Sequence, residues 1–233
     1  MNKLKNITIF YFLFSISFQV FSANISGTVI VYKKNGNTPL KSFENAIIYI
    51  DGLTSSSPTT RPILGQKNKQ FTSRLLPVIK GQTVNFPNFD RVQHNVFSTN
   101  KLNPFDLGRY KKKKSKSVQF NNLGQQKIYC NIHQKMIADI IILENKYFSM
   151  TDKTGQYKIQ NIPEGTYTVN VWHIYGGSTK QKITVSNKNL IQNFKITSTK
   201  IVREIKKHKN KRGRKYKQSY SGDGYNNSHY EDW

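Results

Sequence analysis

Thiols are almost absent from this chain of 233 residues: Cys130 is its one cysteine. That excludes a disulfide framework within the chain. It also excludes cysteine-rich zinc sites and cysteine-ligated iron–sulfur clusters, which need several thiolates. Acidic residues are scarce, 12 against 37 lysines and arginines, and the formal net charge is +25. Hydrophobic residues make up only 36%, yet 14 Phe, 13 Tyr and 2 Trp are enough for a packed β core and argue against a wholly disordered chain. Helical periodicity is not sustained anywhere between Ile25 and Ile196. No strong internal repeat is present, and the length predicts one to two domains.

Only one long apolar run exists, and it lies at the N-terminus. Lys3 and Lys5 precede Ile7–Phe21, which Thr8, Ser15, Ser17 and Gln19 alone interrupt, and the small residues Ser22 and Ala23 follow. Basic, apolar and small segments in that order are a secretory signal. The run is too short for a comfortable membrane span, which needs about 20 residues. Residues 1–23 are therefore expected to be removed, by cleavage just before or just after Ala23. The mature protein is expected to be periplasmic or secreted, in an oxidising compartment. A lone thiol there is exposed to oxidation unless something occupies it.

From Ile25 to Ile196 the chain reads as short strands divided by turn residues, an all-β pattern of the sandwich type. Strands are expected at Ile25–Tyr32, Ala46–Ile50, Gln70–Ile79, Thr83–Phe86, Gln93–Ser98, Ser117–Phe120, Gln126–Tyr129 and Ala138–Leu143. A further set begins near Tyr147 and runs through Tyr157–Ile159, Thr166–Trp172, Lys182–Val185 and Ile191–Ile196. Thr54–Pro62 reads as a Ser/Thr/Pro loop. Residues 198–233 differ in kind. Arg203–Lys217 holds nine basic residues and the single acid Glu204, and a Tyr/Gly/Ser/Asn/Asp segment follows to Trp233. So few apolar groups cannot offset the entropy of ordering, so this tail is expected to be disordered.

The chemistry concentrates in Tyr129-Cys130-Asn131-Ile132-His133-Gln134-Lys135-Met136, with the spacing C-x2-H-x2-M. Upstream, His94 lies in the strand-like run Gln93–Ser98. Two imidazoles, a thiolate and a thioether are the donors of a blue-copper site, a His2Cys plane with a weak axial Met. A tight loop lets three donors converge from one side, while the fourth comes from a neighbouring strand and pins the loop to a rigid scaffold. Zinc could take a Cys-His-His set, but the thioether argues for copper. His173, beside Trp172, has no cysteine or second histidine near it in sequence and reads as a structural residue. His208 and His229 receive no role.

Around these donors the chain resembles the cupredoxins. The segment Gln70–Leu143 carries Pro77–Phe86 before the first donor, then His94-Asn95, then Tyr129-Cys130 and a short loop like that of the amicyanin type. More closely it resembles exported bacterial cupredoxin-like proteins labelled methylamine utilization or plastocyanin-like. The shared residues are Phe86-Pro87-Asn88-x-Asp90, His94-Asn95-Val96-x-Ser98, Phe105-Asp106-Leu107-Gly108, the Cys130–Met136 motif, Tyr147-Phe148, Thr151-Asp152-x-x-Gly155 and Val171-Trp172-His173. The resemblance implies a Greek-key β sandwich and one type 1 copper held by His94, Cys130, His133 and Met136. It also implies that Asn95 ties the two donor-bearing loops together by hydrogen bonds. One departure is Arg109–Lys116, six basic residues in eight, where the family leads one to expect a less charged loop with a glycine turn.

Thr151–Ile159 and Ile162–Val169 resemble the carboxypeptidase regulatory-like, transthyretin-like β sandwich, with Gly155 and Gly165 at its turns and Tyr157 and Tyr167 in its core. The expected organisation is residues 1–23 signal, 24–53 N-terminal strands, 54–144 cupredoxin-like domain, 145–197 second small sandwich and 198–233 basic tail. The N-terminal strands fit either sandwich. If they belong to the second, the cupredoxin-like unit is an insertion in it.

The expected function is one-electron transport by an exported blue-copper protein. Alternatives are a copper storage or delivery module and a metal-free envelope interaction protein. An enzyme is not expected, because copper oxidases and nitrite reductases need further histidine-rich centres and the chain has 5 histidines. The expected partner is a redox protein, and the basic surface would draw an acidic one. Export argues against nucleic acid, and the basic tail could also meet anionic lipid headgroups. No feature of the sequence sets an oligomeric state.

Overall fold

The computed structural model of the chain describes residues 22–56, 58–200 and 209–215. The expected signal lies outside them except for Ser22 and Ala23, which already belong to the first strand. Among the described residues there is no helix, and the protein is all-β. In chain order the strands are β1 (Ser22–Tyr32), β2 (Ala46–Asp51), β3 (Gln66–Lys67), β4 (Gln70–Phe71), β5 (Leu75–Ile79) and β6 (Thr83–Pro87). Then come β7 (His94–Ser98), β8 (Phe105–Tyr110), β9 (Ser115–Gln119), β10 (Gly124–Cys130), β11 (Ile137–Leu143) and β12 (Phe148–Met150). The last are β13 (Gln156–Pro163), β14 (Gly165–His173), β15 (Ser178–Val185), β16 (Leu190–Ile191) and β17 (Phe194–Thr197).

Pairing sorts these strands into two nested sandwiches. The outer one has a sheet in the order β13-β1-β16, with β17 also on β1, and a sheet in the order β12-β2-β14-β15. The inner one has the sheet β5-β11-β10-β7-β8 and the ribbon β6–β9. Since β1 and β2 pair with strands beyond Phe148, they belong to the outer sandwich. The inner strands are therefore inserted between its two parts.

Each sandwich has its own core. Ile25, Val29, Val31, Ile48, Ile50, Val169, Val171 and Phe194 fill the outer one. Val84, Phe86, Phe120, Ile128 and Ile140 fill the inner one, together with Cys130 and Met136. A third cluster, Ile47, Leu75, Ile141, Leu143 and Ile174, joins the two. It explains the apolar run Ile140–Leu143 of β11: Ala138, Ile140 and Ile142 face the inner core, while Ile141 and Leu143 face the joining cluster. A strand covered on both sides need not alternate.

Local chemistry sets the turns. Gly155 closes the loop after Asp152 with φ +85, and a Cβ there would lie 2.3 Å from the Val29 carbonyl oxygen. Only glycine fits both demands. Gly165, at φ +155, opens β14.

Two sequence expectations need correcting. Gln70–Ile79 is not one strand: β4 pairs with β3, whereas β5 runs parallel to β11. The break is held by the Thr72 N–H on the Gly65 carbonyl and by the Ser73 hydroxyl on the Leu75 carbonyl. Phe105–Tyr110, not expected as a strand, forms β8 with a bulge opposite Asn95. The basic Arg109–Lys116 stretch makes its turn without glycine, because Lys113 takes the left-handed conformation (φ 64). Its N–H donates to the Asn88 carbonyl at 2.8 Å.

His173 ends β14 in the outer sandwich and is fully enclosed. Its Nε2 donates to the Glu44 carbonyl at 3.1 Å, and its Nδ1 accepts the Tyr175 N–H at 3.3 Å. Burial pushes its pKa down to about 4, and Lys200 adds to that against the pull of the Glu44 carbonyl. A second proton on Nδ1 would face the Tyr175 N–H. The unfolded chain takes that proton near pH 6.5, so folding is favoured fully above that and progressively less as pH falls to about 4. The expected loss between pH 7.5 and 4 is about 3 kcal/mol at most. Urea unfolding at both pH values checks it: His173→Asn should lose less stability than the wild type by that amount.

Candidate metal centre

Strand geometry brings the donors together. Burial alternates along β10, placing Gln126, Ile128 and Cys130 on its core face. Cys130 pairs with Val96 of β7. His94 is two residues from Val96, so its side chain leaves the same face as that of Cys130. The chain then turns through Asn131–Met136 and returns as β11. The Met136 N–H donates to the His133 carbonyl at 3.0 Å, and the Cys130 N–H to the Met136 carbonyl at 3.3 Å. The Asn131 N–H bonds the Asn95 carbonyl at 3.3 Å, fixing the loop to β7. His133 is thereby folded back over His94.

The two imidazole Nδ1 atoms are 3.1 Å apart, and each lies 3.7 Å from the Cys130 Sγ. A triangle with those sides has its centre about 2.0 Å from each corner. Zinc, a neighbouring first-row ion, makes bonds of about 2.0–2.1 Å to imidazole nitrogen and about 2.3 Å to thiolate sulfur. The three atoms thus surround a space of the right size for one such ion. Met136, 1% exposed, lies in the same buried cluster as Cys130. His94 and Cys130 are wholly buried, and His133 is half-buried.

Protonation follows from the partners. The His94 Nε2 lies 2.8 Å from the Asp90 Oδ2. Burial lowers the His94 pKa, Asp90 pulls it back and Lys69 lowers it again, for a net depression. The ring is therefore neutral with its proton on Nε2, because a carboxylate only accepts, and the Nδ1 lone pair faces the other donors. Burial raises the Asp90 carboxyl, but the N–H groups of Lys69 and Asn68 and the His94 ring outweigh it, and its pKa falls. Burial pushes the Cys130 thiol up, partly countered by the N–H groups of Asn95, Ile132 and His133 at its sulfur. Those three donors are placed to share the charge of a thiolate once a cation displaces the proton.

Asn95 connects the donor-bearing segments through its backbone: its N–H meets the sulfur and its carbonyl takes the Asn131 N–H. Its side chain turns the other way and donates to Asp106 of β8. Asp106 also accepts the Gly108 N–H at 3.0 Å and the Lys211 ammonium. The Lys211 N–H reaches the Asn131 Oδ1 at 3.1 Å. Residues 209–215 of the basic tail thus make a turn on the donor loop, while the rest of the tail beyond Lys200 lies outside the described residues. Sequence reasoning gave Asp90, Asp106 and Lys211 no role. For Asp90 the signals were its place in the shared Phe86-Pro87-Asn88-x-Asp90 run and its position four residues before His94, and for Asp106 its place in Phe105-Asp106-Leu107-Gly108.

No family model matches the chain, and no curated protein matches it. Solved structures do. A reduced amicyanin variant is 17% identical with a TM-score of 0.35, over 41% of this chain and 98% of that one. Amicyanin from Paracoccus versutus gives 17% identity and a TM-score of 0.33, over 41% and 97%. A copper-containing nitrite reductase from Thermus scotoductus SA-01 gives 17% identity and a TM-score of 0.36 over 42% of this chain, which spans 26% of that enzyme.

Proposed function

We propose that the protein is an exported type 1 copper protein that carries single electrons. The observation that carries this reading is the triangle of two Nδ1 atoms and one Sγ, buried and sized for one ion. His94, Cys130 and His133 would hold the metal, with the Met136 thioether as a weaker fourth donor. Copper bound there would supply a one-electron couple between its two oxidation states. The rest is the chain's work. β7 and β10 fix His94 and Cys130 on one face of a sheet, and the short loop closed at Met136 fixes His133. Donors that cannot relax let the charge change with little rearrangement. His133 is the donor nearest solvent, so its ring edge is the route for the electron.

The surface supports an acidic redox partner. Lys111–Lys114 are all exposed, and the excess of lysine and arginine over acidic residues attracts over long range at low salt. A carrier fits the chain's 5 histidines, two of which, His94 and His133, meet Cys130 in the one such donor cluster among the described residues. The test is a Cu(II) titration of the mature protein, followed optically and by EPR. An intense thiolate-to-copper band, narrow copper hyperfine splitting and one-to-one stoichiometry are expected. A colourless folded protein with a free thiol would move the reading to a metal-free envelope module. A blue protein with very slow electron exchange would move it to copper storage or delivery.

A further inference from the structure

We propose that Asp90 is a positioning residue of the metal centre: it aims His94 at the ion and, by its charge, lowers the reduction potential. This rests on the copper reading above. The geometry around Asp90 is built rather than incidental. β3 and β4 form a hairpin whose two tip residues, Asn68 and Lys69, both have φ of 55. Left-handed backbone is unfavourable for a residue with a Cβ. Here it turns two successive N–H groups onto one carboxylate, Asn68 to Oδ1 at 2.6 Å and Lys69 to Oδ2 at 2.8 Å. The Asp90 N–H donates to the Asn88 Oδ1 at 2.8 Å. Asn88 is itself fully buried, and its amide donates to the Val92 and Tyr110 carbonyls at 2.9 and 3.1 Å. The loop from Asn88 to His94 is thus fixed at Asn88, Asp90 and Val92, and it places a carboxylate oxygen 2.8 Å from the His94 Nε2.

Two consequences follow from that contact. An imidazole tied at Nε2 cannot flip or change tautomer, so Nδ1 stays directed at Cys130 and His133. A carboxylate accepting the Nε2 proton also makes the ring a stronger electron donor. A stronger donor and a nearby negative charge both favour the more highly charged ion. Cu(II) gains more than Cu(I), and the potential falls.

The experiment compares wild type and Asp90→Asn as full-length mature chains, loaded with copper. The asparagine keeps a carbonyl for the Nε2 proton and removes the charge. Cu(II) affinity should fall roughly 10–100-fold, with the thiolate band retained. Each tenfold by which Cu(II) loses more than Cu(I) should raise the potential by about 59 mV in voltammetry. A folded, blue Asp90→Asn protein with an unmoved potential overturns the inference and leaves the copper reading standing. A wild type with no thiolate-to-copper band overturns the copper reading and the inference with it. A measurement needing no variant guards against misfolding: 15N NMR of the metal-free wild type should place the His94 proton on Nε2. A proton on Nδ1 overturns the inference.

Discussion

Replacing Cys130 by serine should abolish the intense visible band of the copper-loaded protein while leaving the β fold in place. The sulfur is the one soft anionic donor in the triangle, and charge transfer from it to copper is what makes such a site blue. A serine hydroxyl loses its proton far less readily and is a harder donor. The structure also indicates why the fold should survive. Cys130 is wholly buried at the end of β10, and the N–H groups of Asn95, Ile132 and His133 converge on its side-chain atom. A hydroxyl oxygen there inherits those donors, so no buried polar group is left unpaired. Copper affinity should drop by more than the roughly 10–100-fold that losing a ligand's hydrogen-bond partner costs. Absorption, circular dichroism and competition titration on the purified variant measure the band, the fold and the affinity. A Cys130→Ser protein that kept the band would show that the colour arises elsewhere.

The second large effect concerns stability. Phe86→Ala should destabilise the protein by about 3–5 kcal/mol. Phe86 is fully buried on β6, facing the inner core. Its ring lies 5.8 Å from Phe105, which in turn meets Phe120 at 6.1 Å. Its carbonyl accepts the Tyr110 hydroxyl at 2.9 Å, so collapse around the lost ring would also disturb β8. The loss compares with a total of about 5–15 kcal/mol for a folded domain. Because Ile47, Leu75, Ile141, Leu143 and Ile174 join the sandwiches, urea unfolding should remain a single transition at lower midpoint. A shift below about 1 kcal/mol would mean that the inner core is not packed as described.

The donors were legible because their chemistry is rare. With one cysteine in the chain, C-x2-H-x2-M had no competitor for attention, and His94 stood in a strand of the right kind. The all-β class was legible from β-branched and aromatic runs. What stayed hidden depends on contacts between distant residues. Asp90 touches the hairpin tip at Asn68 and Lys69, and no local pattern announces that two lysine-rich, glycine-free turns adopt left-handed backbone. β8 was missed because Asp106, Gly108 and Arg109 have poor strand propensity; it is held as a strand by pairing with β7 and tolerates Gly108 at a bulge. The membership of β1 and β2 was open because either sandwich could use a β-branched strand; pairing with β13, β14 and β17 decides it. Lys211 reaches Asp106 across 105 residues, a distance at which composition alone says only that the tail is basic.

The parallel pairing of β1 with β17 has a mechanical consequence. Val29–Tyr32 runs beside Phe194–Thr197 in the same direction, so a pull applied at Ser22 and Thr197 slides one strand along the other. Every bond of that ladder bears the load at once, unlike an antiparallel hairpin that opens one bond at a time. The inner sandwich hangs between β2 and β12, outside this line of force. In single-molecule pulling, the outer ladder should yield first at high force, with the donor triangle strained only afterwards.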